Sequence, residues 1–219
     1  MTWSKHDNRG ERRGYHHGNL REALIDATLA LIASKGPAGF TMAEAARLAD
    51  VSPGAPYRHF RDAEALLVEV ALRGFGQLAA SLAAAWNDGR PDPVAAFAAL
   101  GRAYLGFARA SPAYYAAMFE TRIATDAYPP LAAAADRAFG LLRHAAECLT
   151  AQLPKPNRPP PLMVALHVWA LLHGIAALFC RSDRARRALP MSPEELLEAG
   201  VLLYLQSLGL AGGKPQDQR

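Results

Sequence analysis

Cysteine is almost absent from this 219-residue chain. Its two cysteines, Cys148 and Cys180, lie in apolar helical stretches at no spacing that a disulfide framework or a metal knot uses, which fits a reducing compartment. Charge is sparse too: 20% of residues are charged against 51% hydrophobic, a balance that excludes disorder and favours a helical globular chain. At this length folding buries roughly 70% of the unfolded surface, so a core needs no staples. The first residues, MTWSKHDNRGERRGYHHGN, lack the apolar run of a secretory signal, and a cytoplasmic location is expected. Also missing are a nucleophile–base set, a Gly-rich phosphate loop, paired carboxylates in a defined setting and internal repeats. An enzyme is therefore not expected.

One stretch lacks charge altogether. PLMVALHVWALLHGIAALFC, Pro161 to Cys180, has nearly the length of a membrane span, and Arg181, Arg184, Arg186 and Arg187 follow it. His167 and His173 would have to be desolvated in lipid, whereas a helix at a subunit interface is apolar all round without that cost. The expected reading is a helix of a soluble body, with no membrane partner.

What charge there is collects at the amino terminus. Residues 1 to 61 hold 9 Lys/Arg against 6 Asp/Glu, a net of +3, and the rest hold 15 against 14, a net of +1. An anionic partner meets that end first. The same end opens with GNLREALIDATLALIASKG, apolar at helical spacing and stopped by Gly36-Pro37. Thr41 and Glu44 then form a capping box for a short second helix. Ser52 is a good N-cap and Pro53 suits the first helical position, so a third helix is expected almost without a loop, with a bent entry at Pro56. A long helix follows from Asp62, and further helices are expected at about 93 to 110, 112 to 122, 129 to 153 and 160 to 181, with a last one from Ser192 to about Leu208.

Two short capped helices joined by a tight turn form the helix-turn-helix arrangement, in which the second helix enters a DNA major groove and the first crosses the backbone. Gly54 and Ala55 are small enough for close approach. Tyr57 and His59 offer donors to phosphate, and the Arg58 fork can read guanine O6 and N7.

These residues also carry a resemblance. YHHGNLREALIDATLALIASKGPAGFTMAEAARLADVSPGAPYRHFRDAEALL resembles the amino-terminal domain of TetR-family transcriptional regulators in order and spacing, and VWALLHGIAAL, with Trp169, His173 and Gly174, is similar to a Trp-His-Gly (WHG) signature in the carboxy-terminal domain of one group within it. The resemblance implies an all-α homodimer: a three-helix helix-turn-helix domain joined by a long fourth helix to a larger helical domain for ligand binding and dimerisation. It further implies a palindromic double-stranded DNA operator and a small-molecule effector, most often with repression. Carried over, Thr41 would bond a phosphate, Ser52, Pro53, Gly54, Ala55 and Arg58 would face bases, and Tyr57 and His59 would grip phosphates. Ala63 stands where the family usually has lysine, and whether Arg61 replaces that contact is open.

The expected division is a flexible basic arm over 1–13, the DNA-binding domain over 14–61, the ligand-binding and dimerisation domain over 62–210 and a disordered tail over 211–219. Within the body Phe97, Tyr104, Phe107, Tyr114, Tyr115, Met118 and Phe119 are spaced so that several share a face, and His144 could add a polar group; as a set they point to an apolar or aromatic effector, with ordinary core packing as the alternative. Trp169 and His173 share a helical face beside a small-residue stripe of Ala170, Gly174 and Ala177, and this segment with the last helix is the expected dimer interface. His144 and Cys148 are four apart but lack a third ligand, so neither metal nor cofactor is expected. The rival reading is a nonspecific or architectural DNA-binding protein without an effector.

Overall fold

The computed structural model describes residues 20–179 and 190–210. The expected arm, the residues just after it and the tail lie outside the described residues, as do Cys180 and the arginines after it. All regular elements described are helical. The first, α1 (Leu20–Lys35), buries Leu24, Ile25, Leu31 and Ile32 on one face. It stops at Gly36, whose φ of 79° suits a residue without Cβ. α2 (Met42–Leu48) opens with the expected capping box: the Thr41 hydroxyl accepts from the Glu44 backbone, and the Glu44 side chain accepts from the Thr41 backbone.

The third helix is where the structure departs from the sequence reading. After Asp50, in the left-handed region at φ 55°, the chain runs through turns to a single 3-10 turn over Pro56–Arg58 that has no side-chain cap. Pro56 explains the difference. An α-helix begun at Ser52 needs an N–H at position 56 to donate to the Ser52 carbonyl, and proline has none. That carbonyl accepts from Ala55 N–H instead, at 3.0 Å, one residue tighter. The segment is thus a compact projecting turn, not a rod.

Asp62, extended and accepting from Ala65 N–H, caps the long α3 (Ala63–Trp86). Asp92 caps α4 (Pro93–Ala110) in the same way. α5 (Pro112–Phe119), α6 (Pro129–Ala151) and α7 (Pro161–Phe179) each begin at a proline, which suits the first turn. The connector after α6 holds a short 3-10 turn at Lys155–Asn157, and Arg158 donates back to the carbonyls of Ala151 and Leu153 at the end of α6. Ser192 and Glu195 make a second capping box at the start of α8 (Pro193–Ser207).

α3 is the central post: α4, α5 and α6 all pack on it, α6 carries α7, and α7 carries α8. α1 touches α2, α3 and α5, so the amino-terminal unit sits on both the post and the body. α3 and α7 each have the length and hydropathy of a membrane span. In this fold α3 is the shaft of the bundle, and α7 packs on α4, α6 and α8.

Candidate nucleic-acid interface and aromatic core

The projecting turn is held at both ends. Pro56 and Phe60 are buried, and the Arg21 guanidinium lies 5.5 Å from the centre of the Phe60 ring, a cation–π contact. Between these anchors Tyr57, Arg58 and His59 stand out exposed, Tyr57 by 58%. Among the described residues none of these three side chains forms a hydrogen bond or ion pair within the chain. Ser52, Pro53 and Gly54 are exposed beside them and Ala55 is half-buried. A Cβ added at Gly54 would meet nothing within 4 Å, so the surface there is open. Thr41 is exposed, with its hydroxyl engaged in the capping box.

Two residues of this face escaped the sequence reading. Arg47, in the last turn of α2, is exposed and without an ionic partner among the described residues, and Leu48 next to it is 54% exposed. An unbalanced cation beside an apolar side chain on a polar helix face was the available signal. Arg61 is less free: its Nε donates to Asp62 at 2.7 Å, which raises the arginine pKa, while Asp62 is lowered by the Ala65 N–H first and Arg61 second. Its side chain is 79% exposed all the same.

α1 is fixed to α3 through charge. Arg73 on α3 donates to both oxygens of Glu22 on α1 and, at 2.9 Å, to Glu69, which also accepts from Arg21. These hydrogen bonds raise the Arg73 pKa, Glu22 contributing most, and lower that of Glu22. Where α3 begins, the Tyr128 hydroxyl donates to Glu64, and this raises the phenol pKa.

In the body the structure redistributes the expected sets. Tyr104, Tyr115 and Phe119, expected to line a ligand site, meet Trp169 and His173, expected at the dimer interface. Ring centroids lie 4.6 Å apart for Trp169–His173, 4.7 Å for Phe119–His173, 5.0 Å for Tyr115–Phe119 and 5.7 Å for Tyr104–Trp169. Phe139 and Phe75, absent from the sequence reading, extend the cluster through Trp169 and Phe119. His173 is its polar centre: Nδ1–H donates to the Trp169 carbonyl at 3.1 Å, and the Tyr104 hydroxyl lies 3.2 Å from Nδ1 and 3.3 Å from Nε2. Burial lowers the imidazole pKa, and the Trp169 carbonyl opposes this in part.

The remaining residues lie apart. Phe97 is buried in α4, Met118 packs beneath Gly74, and Phe107 lines a separate shallow surface depression with Gln77 and Ser81. His144 is exposed on α6, edge-on to Trp86. Of the expected interface stripe, Ala170, Gly174 and Ala177 stay on the outside of α7. They share that surface with Met163, Leu166 and Leu178, and Leu202 and Leu203 are exposed on α8. No group of three or more metal-ligating side chains occurs among the described residues.

Comparison with known proteins gives a consistent family. The family model described as "Bacterial regulatory proteins, tetR family" matches residues 24–70, and that described as "Tetracyclin repressor-like, C-terminal domain" matches residues 97–204. YobS of Bacillus subtilis (strain 168), an uncharacterized transcriptional regulator of the HTH type, is 24% identical over 187 residues, 83% of this chain and 87% of YobS. A protein of unknown function from Rhodococcus sp. RHA1 is 29% identical with a TM-score of 0.75, covering 89% of this chain and 98% of that one. AibR, solved in complex with isovaleryl coenzyme A and operator DNA, shares the fold at a TM-score of 0.67 and 18% identity, over 84% of this chain and 97% of AibR.

Proposed function

Because the chain belongs to the TetR family of bacterial transcriptional regulators, we propose that it is a cytoplasmic, non-enzymatic repressor that binds a palindromic operator as a homodimer and leaves it when a small apolar or aromatic effector occupies the body. The observation that carries this reading is the trio Tyr57, Arg58 and His59, presented between buried Pro56 and Phe60 with no partner among the described residues. A side chain kept exposed and unpaired on a well-anchored turn is available to base edges and phosphates. The DNA-binding unit then comprises residues 14–61 and the body residues 62–210. Thr41, Ser52, Pro53, Gly54 and Ala55 join the trio on the contact surface.

The dimer is assigned to the outer faces of α7 and α8. Ala170, Gly174 and Ala177 permit close helix approach, and Leu166, Leu178, Leu202 and Leu203 supply the apolar area that a second copy would bury. The same use accounts for the hydropathy of α7 without a membrane.

The effector is assigned to the rings around His173. α5 carries Tyr115 and Phe119 into that cluster and also touches α1 and α3. A ligand that separates the rings therefore moves the helix on which the reading unit leans. A coupling of roughly 1–3 kcal/mol between the sites changes operator affinity about 5- to 150-fold. AibR, with the same fold, holds an acyl thioester and operator DNA together, which supports a two-site scheme.

The test is selection of bound sequences from a random duplex pool, followed by affinity measurements at several salt concentrations. A palindrome bound far more tightly than random DNA is the expected result. Smooth binding with a steep salt dependence and no enriched sequence would replace the operator with mere phosphate neutralisation.

A further inference from the structure

A groove of about 590 Å³ lies at the joint between the DNA-binding unit and the body. One wall is Pro37 and Phe40, in the loop between α1 and α2. The floor is Ala63 and Leu67 in the first turns of α3, and the opposite wall is Ile123, beyond α5. The volume suits a small organic molecule, and the walls are apolar with a few polar groups, as such sites are. Ala63, where the family resemblance implies a lysine, keeps the floor low.

The polar groups on the rim separate into two kinds. Glu64 already accepts from the Tyr128 hydroxyl, and the Thr121 hydroxyl donates to the Ala117 carbonyl at 3.3 Å. Glu120 and Arg122, two residues apart on the same rim, have no side-chain partner among the described residues. One free carboxylate and one free guanidinium over an apolar trough complement a ligand with an ammonium, a carboxylate and an apolar tail.

We propose that this groove is a second small-molecule site, distinct from the aromatic core, and that it takes a free α-amino acid with an apolar side chain. The carboxylate pairs with Arg122, the ammonium with Glu120, and the side chain lies between Phe40 and Leu67. A bound molecule touches the DNA-binding unit on one side and the body on the other, so it fixes the angle between them. That consequence for operator binding rests on the function proposed above, whereas the binding itself does not.

The test is calorimetric titration of the full chain, without DNA, with L-phenylalanine, phenethylamine and 3-phenylpropionate. L-phenylalanine should bind about tenfold or more tightly than either analogue, since each lacks one charged contact. Arg122→Ala should weaken L-phenylalanine to the level of phenethylamine and leave phenethylamine unchanged. Glu120→Gln should do the same relative to 3-phenylpropionate. Both side chains are exposed, so neither substitution threatens the fold. Absence of L-phenylalanine binding, equal binding of all three probes, or binding indifferent to Arg122 and Glu120 but lost in Tyr115→Ala would overturn the assignment. Operator affinity with and without L-phenylalanine is then read separately. Unchanged operator affinity, with calorimetric binding intact, counts against the coupling of this groove to the proposed operator binding and not against the site.

Discussion

The Tyr104 hydroxyl on α4 lies 3.2 Å from Nδ1 and 3.3 Å from Nε2 of His173 on α7, whose Nδ1–H donates to the Trp169 carbonyl. Burial makes the site hostile to charge, and the imidazole pKa is lowered from 6.5, the Trp169 carbonyl opposing this in part. A depressed folded pKa means the unfolded chain binds the proton more readily between the two values. The stability contributed by His173 is therefore complete above pH 6.5 and is lost as pH falls toward the folded pKa. Thermal melting of wild type and His173→Phe between pH 5 and pH 8 should show the variant with the shallower acid limb. Equal slopes would mean that the imidazole is not confined as described.

One covalent feature, the missing N–H of Pro56, denies the Ser52 carbonyl its α-helical donor, and restoring it tests the cause of the 3-10 turn. In Pro56→Ala the restored N–H can donate to the Ser52 carbonyl, and residues 53–59 should shift toward α-helix. Backbone carbon chemical shifts and protection of the residue 56 amide against exchange report this directly. If that amide exchanges as an open turn does, the constraint lies elsewhere.

Much of the fold could be read from local signals. α4 begins and ends where expected, and α3 starts just after Asp62, because an aspartate N-cap or first-turn proline leaves a covalent mark in the sequence. α5 was expected to reach residue 122 but stops at Phe119. No glycine or proline announces that end, and the Thr121 hydroxyl competes for the Ala117 carbonyl. The ring cluster was only half legible. Spacing puts Trp169 and His173 on one face and Ala170, Gly174 and Ala177 on the next, but which face turns inward depends on α4 and α5, far away in sequence.

Asp50 holds a left-handed conformation at φ 55°, one that aspartate tolerates at some cost and glycine at none. The left-handed cost of about 1–2 kcal/mol, less about 0.5–1 kcal/mol for the greater chain entropy of glycine, predicts that Asp50→Gly stabilises the chain by about 0.5–1 kcal/mol in urea denaturation. It also removes a negative charge from the side proposed to face DNA, so affinity for operator and random duplex should rise together. A gain confined to the operator would mean that Asp50 takes part in base recognition.

Arg58 and His59 are neighbours on the turn with different expected roles. Arg58→Ala should cost about 1–3 kcal/mol of binding and relax the preference at one operator position. His59→Ala should weaken binding to all sequences alike. Indistinguishable profiles on a panel of altered operators would remove the base-reading role from Arg58.

The proposed route from the rings to the DNA-binding unit runs through the contact of α5 with α3, where Gly74 allows a close approach. A Cβ there would lie 2.6 Å from Met118 Sδ and 3.3 Å from Tyr114 Cβ. The methionine is flexible and can give way to one methyl group, so Gly74→Ala should leave operator affinity near wild type. A valine adds two more carbons toward Tyr114, a rigid neighbour, and must push α5 outward. Gly74→Val should therefore cost about 1–3 kcal/mol of stability and reduce operator affinity, although residue 74 lies far along α3 from the projecting turn. Denaturation and operator titration of the two variants separate packing from signalling. If valine lowers stability but leaves affinity unchanged, α5 is a structural prop only, and the link from His173 to DNA must run through another helix.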